Sequence, residues 1–297
     1  MRVVPPSLLP WAHRGTWLDV YGRSIFAIEE GVGPTVGILH GFPTCSLDFA
    51  ATIERLTKNY RVIVHDHLGF GLSDKPVDYS YSLLEQAEVA AAVWQKLGVR
   101  RLHVLAHDYG TSVATELCAR RERRSLPFQL ESLTLTNGSV LLELAHLTVI
   151  QKLLRNQTVG PLIARLSSRK AFDLSLRRTL AHAECLSDAD LDNLWAAMKY
   201  QDGNLRLAQV SQYLDDRVRF RSRWVTALSQ LDIPTHVLWG RRDPIAVMAI
   251  AERLSTIIPS ATLTVLDGLG HYPMVEDPTL FVTAAEQFWS KEERSRS

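Results

Sequence analysis

Six short runs rich in β-branched and apolar residues recur along the 297-residue chain and constrain its fold more than any other feature. They are TVGILH (35–40), RVIVHD (61–66), RLHVLAHD (101–108), LESLTLTN (130–137), THVLWG (235–240) and ATLTVLDG (261–268). Most are apolar on both faces, the pattern of parallel strands buried beneath helices rather than of strands with one wet face. Helical stretches separate them, so the expected class is α/β: a mostly parallel central sheet with helices on both sides in three layers.

Between the fourth and fifth runs the periodicity turns helical and offers no strand candidate. Leu141, Leu142, Leu144, Ile150, Leu153 and Leu154 recur at helical spacing, and SDADLDNLWAAM opens on an N-cap serine, Ser187, with Asp190 three residues on. A helical cap inserted between core strands is therefore expected, dividing the chain into core (1–139), cap (140–225), core (226–291) and a frayed tail (292–297).

Composition excludes several classes. A net charge of +1 gives no electrostatic reason for a nucleic-acid partner, and the run RRERR (120–124) reads as a solvated helix end. No stretch has the length and apolarity of a membrane span, and the first fifteen residues lack the apolar segment of a signal peptide. Three widely spaced cysteines, Cys45, Cys118 and Cys185, have no zinc or thioredoxin spacing. They fit a reducing, cytoplasmic setting.

In open parallel sheets the chemistry lies at the carboxyl ends of the strands, so the residues just after each run are the ones to weigh. After the third run comes AHDYG, where the small residues Ala106 and Gly110 flank Asp108 two positions either side. That spacing fits a sharp strand-turn-helix elbow whose apex side chain is presented to substrate. An aspartate there is also a common N-cap, but a plain cap does not need small flanks. After the first run, HGFPT can aim the backbone N–H of Phe42 at the same point, beside the N–H of Tyr109, as an oxyanion hole. WGRRDP places Asp243 after the fifth run, either in an Asx turn or behind a histidine. GHYP supplies that histidine, His271, after the last run, in the order nucleophile, acid, base. His65 and His67 stand two apart at a strand end, but no third ligand has metal-site spacing, so they read as structural.

Together these motifs resemble the α/β-hydrolase superfamily, and within it the epoxide hydrolase and haloalkane dehalogenase group that uses an aspartate nucleophile. The likeness spans residues 20–289 through HGFPT, DHLGFGLSDKP, HDYG, RRDP and GHYP. It is nearest to proteins of the mesoderm-specific transcript type, through HGFPTCSLDF, LTNGS, DGNL, QYLDDRVRFRSRWVTAL and HYPMVEDP. The resemblance implies Asp108 as nucleophile, His271 as base, Asp243 as its partner, and a cap tyrosine, Tyr213, donating to a departing oxygen. Tyr213 stands where the second cap tyrosine of epoxide hydrolases lies; the first has no counterpart in the matching stretch, and Tyr200 or Tyr272 are the candidates to replace it. Dehalogenases hold the halide with a tryptophan where this chain has Tyr109, and with a donor where it has Phe42.

The implied activity is opening of an epoxide through an alkyl-enzyme ester. Haloalkane dehalogenation, ester or lactone hydrolysis through an anhydride, and a non-catalytic ligand-binding protein are the alternatives. The expected partners are a small apolar electrophile and water, lodged against Phe42, Trp195 and Leu214. The scheme requires no metal, nucleotide or flavin, and oligomeric state is open.

Overall fold

The computed structural model describes residues 3–294. Eight strands form one sheet in the order β1-β2-β4-β3-β5-β6-β7-β8: β1 (Gly15–Val20), β2 (Arg23–Glu30), β3 (Thr35–Leu39), β4 (Arg61–His65), β5 (Arg101–His107), β6 (Gln129–Thr136), β7 (Thr235–Gly240) and β8 (Ala261–Leu266). Strands β3 to β8 pair in parallel, and β1 and β2 add an antiparallel edge. All six apolar runs are strands. The edge hairpin was not anticipated, because GTWLDVYGRSIFAIEE has one wet face and reads as no long apolar run. Its turn, Tyr21-Gly22, holds both residues at positive φ, the geometry of a tight hairpin turn.

Alternation along the strands explains the two cores. Val62 and Val64 pack into one apolar cluster and Ile63, between them, into the other, as period-2 geometry requires of a sheet covered on both faces. The helices that precede the insertion are α1 (Leu9–Ala12), α2 (Ala50–Leu56), α3 (Leu83–Lys96) and α4 (Tyr109–Glu122). Trp94 of α3 and Val113 of α4 fill one cluster, and Phe49 and Ile53 beside the start of α2 fill the other.

Between β6 and β7 the described chain has no strand. It forms α5 (Val149–Arg155), α6 (Gly160–Arg165), α7 (Arg169–Arg177), α8 (Asp188–Lys199), α9 (Leu207–Val210), α10 (Tyr213–Arg219) and α11 (Arg221–Ser229), with short 3-10 turns. Two of these starts carry capping boxes, Thr148 with Gln151 and Ser187 with Asp190, each satisfying backbone N–H groups that a helix start leaves open. Residue 225 falls inside α11, whose Trp224 is fully buried and donates to Glu116 of α4. The last insertion helix is thus packed on the core. The chain closes with α12 (Met248–Ile257), α13 (Pro273–Glu276) and α14 (Pro278–Arg294). Helix α14 continues through Arg294, so residues 292–294 are helical and not the frayed tail expected; 295–297 lie outside the described residues. The basic run is also less free than expected. Arg120 bonds Glu116 and the Leu84 carbonyl, and Arg121 pairs with Asp232.

Candidate active site

Strand β5 delivers Asp108 at the apex of the turn into α4 with φ 43° and ψ −106°. A side-chain-bearing residue there is strained, by roughly 1–3 kcal/mol. The surroundings over-determine it. The Asp108 carbonyl accepts from the Thr111 hydroxyl at 2.6 Å, from the Thr111 N–H at 3.1 Å and from Arg217 at 3.1 Å. A Cβ on Gly110 would sit 2.3 Å from the Leu39 carbonyl oxygen, so the small flank read from the sequence is a steric necessity.

The loop after β3 turns the Phe42 N–H onto Asp108 Oδ2 at 3.2 Å. Gly41 makes room, since a Cβ there would meet the His107 ring at 2.7 Å. Tyr109, the second expected oxyanion donor, is fully buried, its ring packed on His67, Phe70 and Tyr213. No hydrogen bond joins its N–H to the Asp108 carboxylate among the described residues.

After β7, Asp243 satisfies both readings of its position with different oxygens. Oδ1 accepts from the Ile245 and Ala246 N–H groups at 2.7 and 2.9 Å, closing the turn before the next helix. Oδ2 accepts from His271 Nδ1 at 2.7 Å and from Asn137 Nδ2 at 2.8 Å. Burial pushes the Asp243 carboxyl up, but the His271 charge and these donors outweigh it and hold it below the usual carboxylate value. For His271 burial disfavours the cation. The Asp243 charge and hydrogen bond, helped by Asp108 and Glu276, reverse that and raise its pKa.

The loop carrying His271 is fixed at several points. Its N–H donates to the Thr179 carbonyl at 3.0 Å. Its carbonyl lies 2.8 Å from His107 Nε2, and because a carbonyl only accepts, that nitrogen carries the hydrogen. Burial lowers the His107 pKa to about 3, so this neighbour stays neutral. Glu276 takes the N–H groups of Gly270, Ala181 and His182, tying the histidine loop to the insertion.

Tyr213, at the start of α10, is 1% exposed and its ring packs tilted against Phe42 and edge-on against Tyr109. Its hydroxyl accepts from Gln151 Nε2 at 3.5 Å. Of the two tyrosines suggested as replacement donors, Tyr272 lines the cavity beside His271 and Tyr200 does not. Tyr272 donates to the Phe42 carbonyl at 3.5 Å, and Tyr200 lies under the Lys75 ammonium.

Sequence reasoning missed Arg217, Asn137 and Gln151. Arg217 is fully buried, donates to Ser112, Ser139 and the Asp108 carbonyl, and stands 3.5 Å from Asp108 Oδ1. It lies four residues after Tyr213, one helical turn along the same face, with its guanidinium 4.5 Å from that ring. That spacing was its only signal. Asn137 ends the fourth run, where the carboxyl-end rule applies, within a motif already noted for its resemblance.

A cavity of about 690 Å³ lies between sheet and insertion, lined by Phe42, Gln151, Trp195, Ile245, His271 and Tyr272 together with apolar side chains of α5, α6 and α7. Trp195 is in its wall as expected. Leu214 is not: fully buried, it belongs to the packed core. It follows Tyr213 by one residue, and neighbours on a helix point about 100° apart. Asp108 and Tyr213 are hydrogen-bonded to the lining residues Phe42 and Gln151 respectively. The His65 and His67 rings meet edge to face in the core 5.0 Å apart, and burial depresses both pKa values.

The alpha/beta hydrolase fold model matches residues 34–278. The chain is 43% identical to the LipZ protein of Mycobacterium tuberculosis over 94% of its own length and 97% of the relative. It is 37% identical to the human mesoderm-specific transcript homolog protein, over 96% of this chain and 89% of that one. Among solved structures, haloalkane dehalogenase DbeA from Bradyrhizobium elkani superposes with a TM-score of 0.81 at 21% identity, covering 95% of this chain and 99% of that one, a likeness in fold. With a family model matched across both halves of the sheet and curated relatives similar over nearly the whole chain, the protein belongs to the alpha/beta hydrolase family.

Proposed function

We propose that the chain is a hydrolase that opens epoxides through a covalent ester on Asp108. The observation that carries this reading is a carboxylate, not a hydroxyl, at the strained apex, one oxygen on a backbone N–H donor, with a His271–Asp243 pair at the same sheet edge. A serine would form an ether that water cannot easily cleave, whereas an aspartyl ester is open to attack at its carbonyl carbon.

Asp108 Oδ1 attacks a ring carbon and the C–O bond breaks. The Tyr213 hydroxyl gives its proton to the departing alkoxide. His271 then takes a proton from water, and the hydroxide adds to Asp108 Cγ. The Phe42 N–H, already on Oδ2, holds the oxyanion until it collapses to free carboxylate and diol. The proton on His271 returns to the Tyr213 phenolate, closing the cycle. Asp243 orients the imidazole and stabilises its charged form. Helices α5 to α10 act as a cap over the site, and Gln151 fills part of the place of a second tyrosine by bonding the Tyr213 hydroxyl. Phe42 and Tyr109 put no tryptophan or asparagine donor beside Asp108 for a halide, which favours the epoxide over the haloalkane.

The test is intact-protein mass spectrometry of His271→Gln incubated with separate epoxides and haloalkanes. Removal of the base leaves alkylation possible and stalls hydrolysis, so the expected result is an epoxide adduct mapping to Asp108. A haloalkane adduct without an epoxide adduct reverses the substrate class. A folded variant alkylated by neither class refutes the reading.

A further inference from the structure

We infer that the outer face of α5, α6 and α7 docks on an anionic lipid surface, with the mouth of the cavity inside the contact. Seven of the fourteen exposed large apolar side chains among the described residues lie between 149 and 174. Val149 is 74% exposed, Leu162 57%, Leu166 68% and Leu174 53%. Apolar side chains of this size are favoured out of water, so such a cluster left exposed asks for a cover.

Charge identifies the cover. Residues 149–178 carry seven of the 33 Lys and Arg in the chain and one of its 32 Asp and Glu. Arg155, Arg169 and Arg177 are partly neutralised by Asp215, Asp192, Asp173 and Asp188. Lys152, Arg165, Lys170 and Arg178 are exposed, and no acid lies within ion-pair distance of them among the described residues. Apolar side chains interleaved with Lys and Arg are the pattern of helices that lie in a lipid interface and are held there by anionic headgroups. A second copy of the chain fits poorly, because a two-fold contact would set these cations against themselves.

The cavity opens on this face. Val149, Ile150, Leu153, Leu166 and Leu174 are exposed and also line it. A hydrocarbon chain could pass from the acyl layer into the 690 Å³ space without crossing water. Docking does not depend on which bond the site cleaves.

The experiment is flotation of the full chain with vesicles of phosphatidylglycerol and phosphatidylcholine in equal parts, and with phosphatidylcholine alone. Leu162→Asp and the double variant Arg165→Glu/Lys170→Glu are compared with wild type, since none of the three residues lines the cavity. Wild type is expected to float with the anionic vesicles and to bind phosphatidylcholine at least about tenfold more weakly. Each variant is expected to lose about tenfold or more in affinity for the anionic vesicles. Urea unfolding midpoints equal to wild type would show that a loss of binding is not a loss of folding. Absence of binding by wild type at low salt overturns the proposal, as does binding that neither variant weakens. Dimerisation in sedimentation, abolished by Leu162→Asp, would assign the face to a second copy and equally overturn it.

Discussion

Burial pushes the Tyr213 hydroxyl well above the ordinary tyrosine pKa, and the Asp108 carboxylate adds to the shift against the opposing Arg217 charge. The group therefore keeps its proton, as the proposed donor role requires. Removing it in Tyr213→Phe should slow formation of the Asp108 ester by about a hundredfold to a thousandfold, the usual cost of one donor to a developing oxyanion. Decay of a preformed ester should be nearly unchanged. Rapid-quench mass spectrometry separates the two steps, and an equal loss in both would place Tyr213 in packing alone. His271 gives the complementary result. Its pKa is raised above the ordinary 6.5, so as pH falls through that raised value the imidazole becomes charged and can no longer take a proton from water. In the proposed mechanism, alkylation does not need the free base. The fraction of enzyme held as ester at steady state should therefore rise as pH falls, and a fraction constant across that titration would remove His271 from the second step.

At the scale of elements, the link between α10 and the elbow is made by one side chain. The three Arg217 contacts join the insertion to α4, to the segment after β6 and to the apex itself. Arg217→Met leaves Asp108 as a buried charge without its cation, and the expected loss of stability is about 3–5 kcal/mol, read from urea unfolding. Arg217→Lys should not restore it, because a single ammonium cannot reach acceptors spread across three elements. A lysine variant as stable as wild type would reduce Arg217 to a bare charge. The elements that position the apex were legible in the sequence because they follow from local rules: apolar runs for β3 to β8, small flanks for the elbow, and loop order for Asp243 and His271. Arg217, Gln151 and Asn137 were not, since each acts through a contact distant in sequence. A buried arginine looks the same as a solvated one until its partners are known. The hairpin β1–β2 was missed for a different reason: an edge strand with one face in water lacks the doubly apolar signature.

For the molecule as a whole, the acid held out of water beneath the site links chemistry to stability. Asp48 is 5% exposed and accepts from the Thr44 hydroxyl. Burial raises its pKa to about 8; the Thr44 bond opposes this, and the nearby Asp66 and Asp108 charges reinforce it. The folded chain thus keeps a proton that the unfolded chain releases near the ordinary value of 3.8. By linkage, the stability associated with that proton is fully present below 3.8 and is lost as pH rises toward 8, with a slope of at most about 1.4 kcal/mol per pH unit. Asp48→Asn keeps the shape and an acceptor for Thr44 but has no proton to lose. Urea unfolding of the two proteins between about pH 5 and pH 8 isolates Asp48 and the few groups coupled to it, since the remaining titrations are common to both. The variant should gain on wild type steadily across that interval and stop gaining once the carboxyl has ionised. Parallel stability curves would mean that Asp48 is already ionised at neutral pH. The carboxylate density beside Asp108 would then be larger, and the field that favours a charged His271 stronger, than a neutral Asp48 allows.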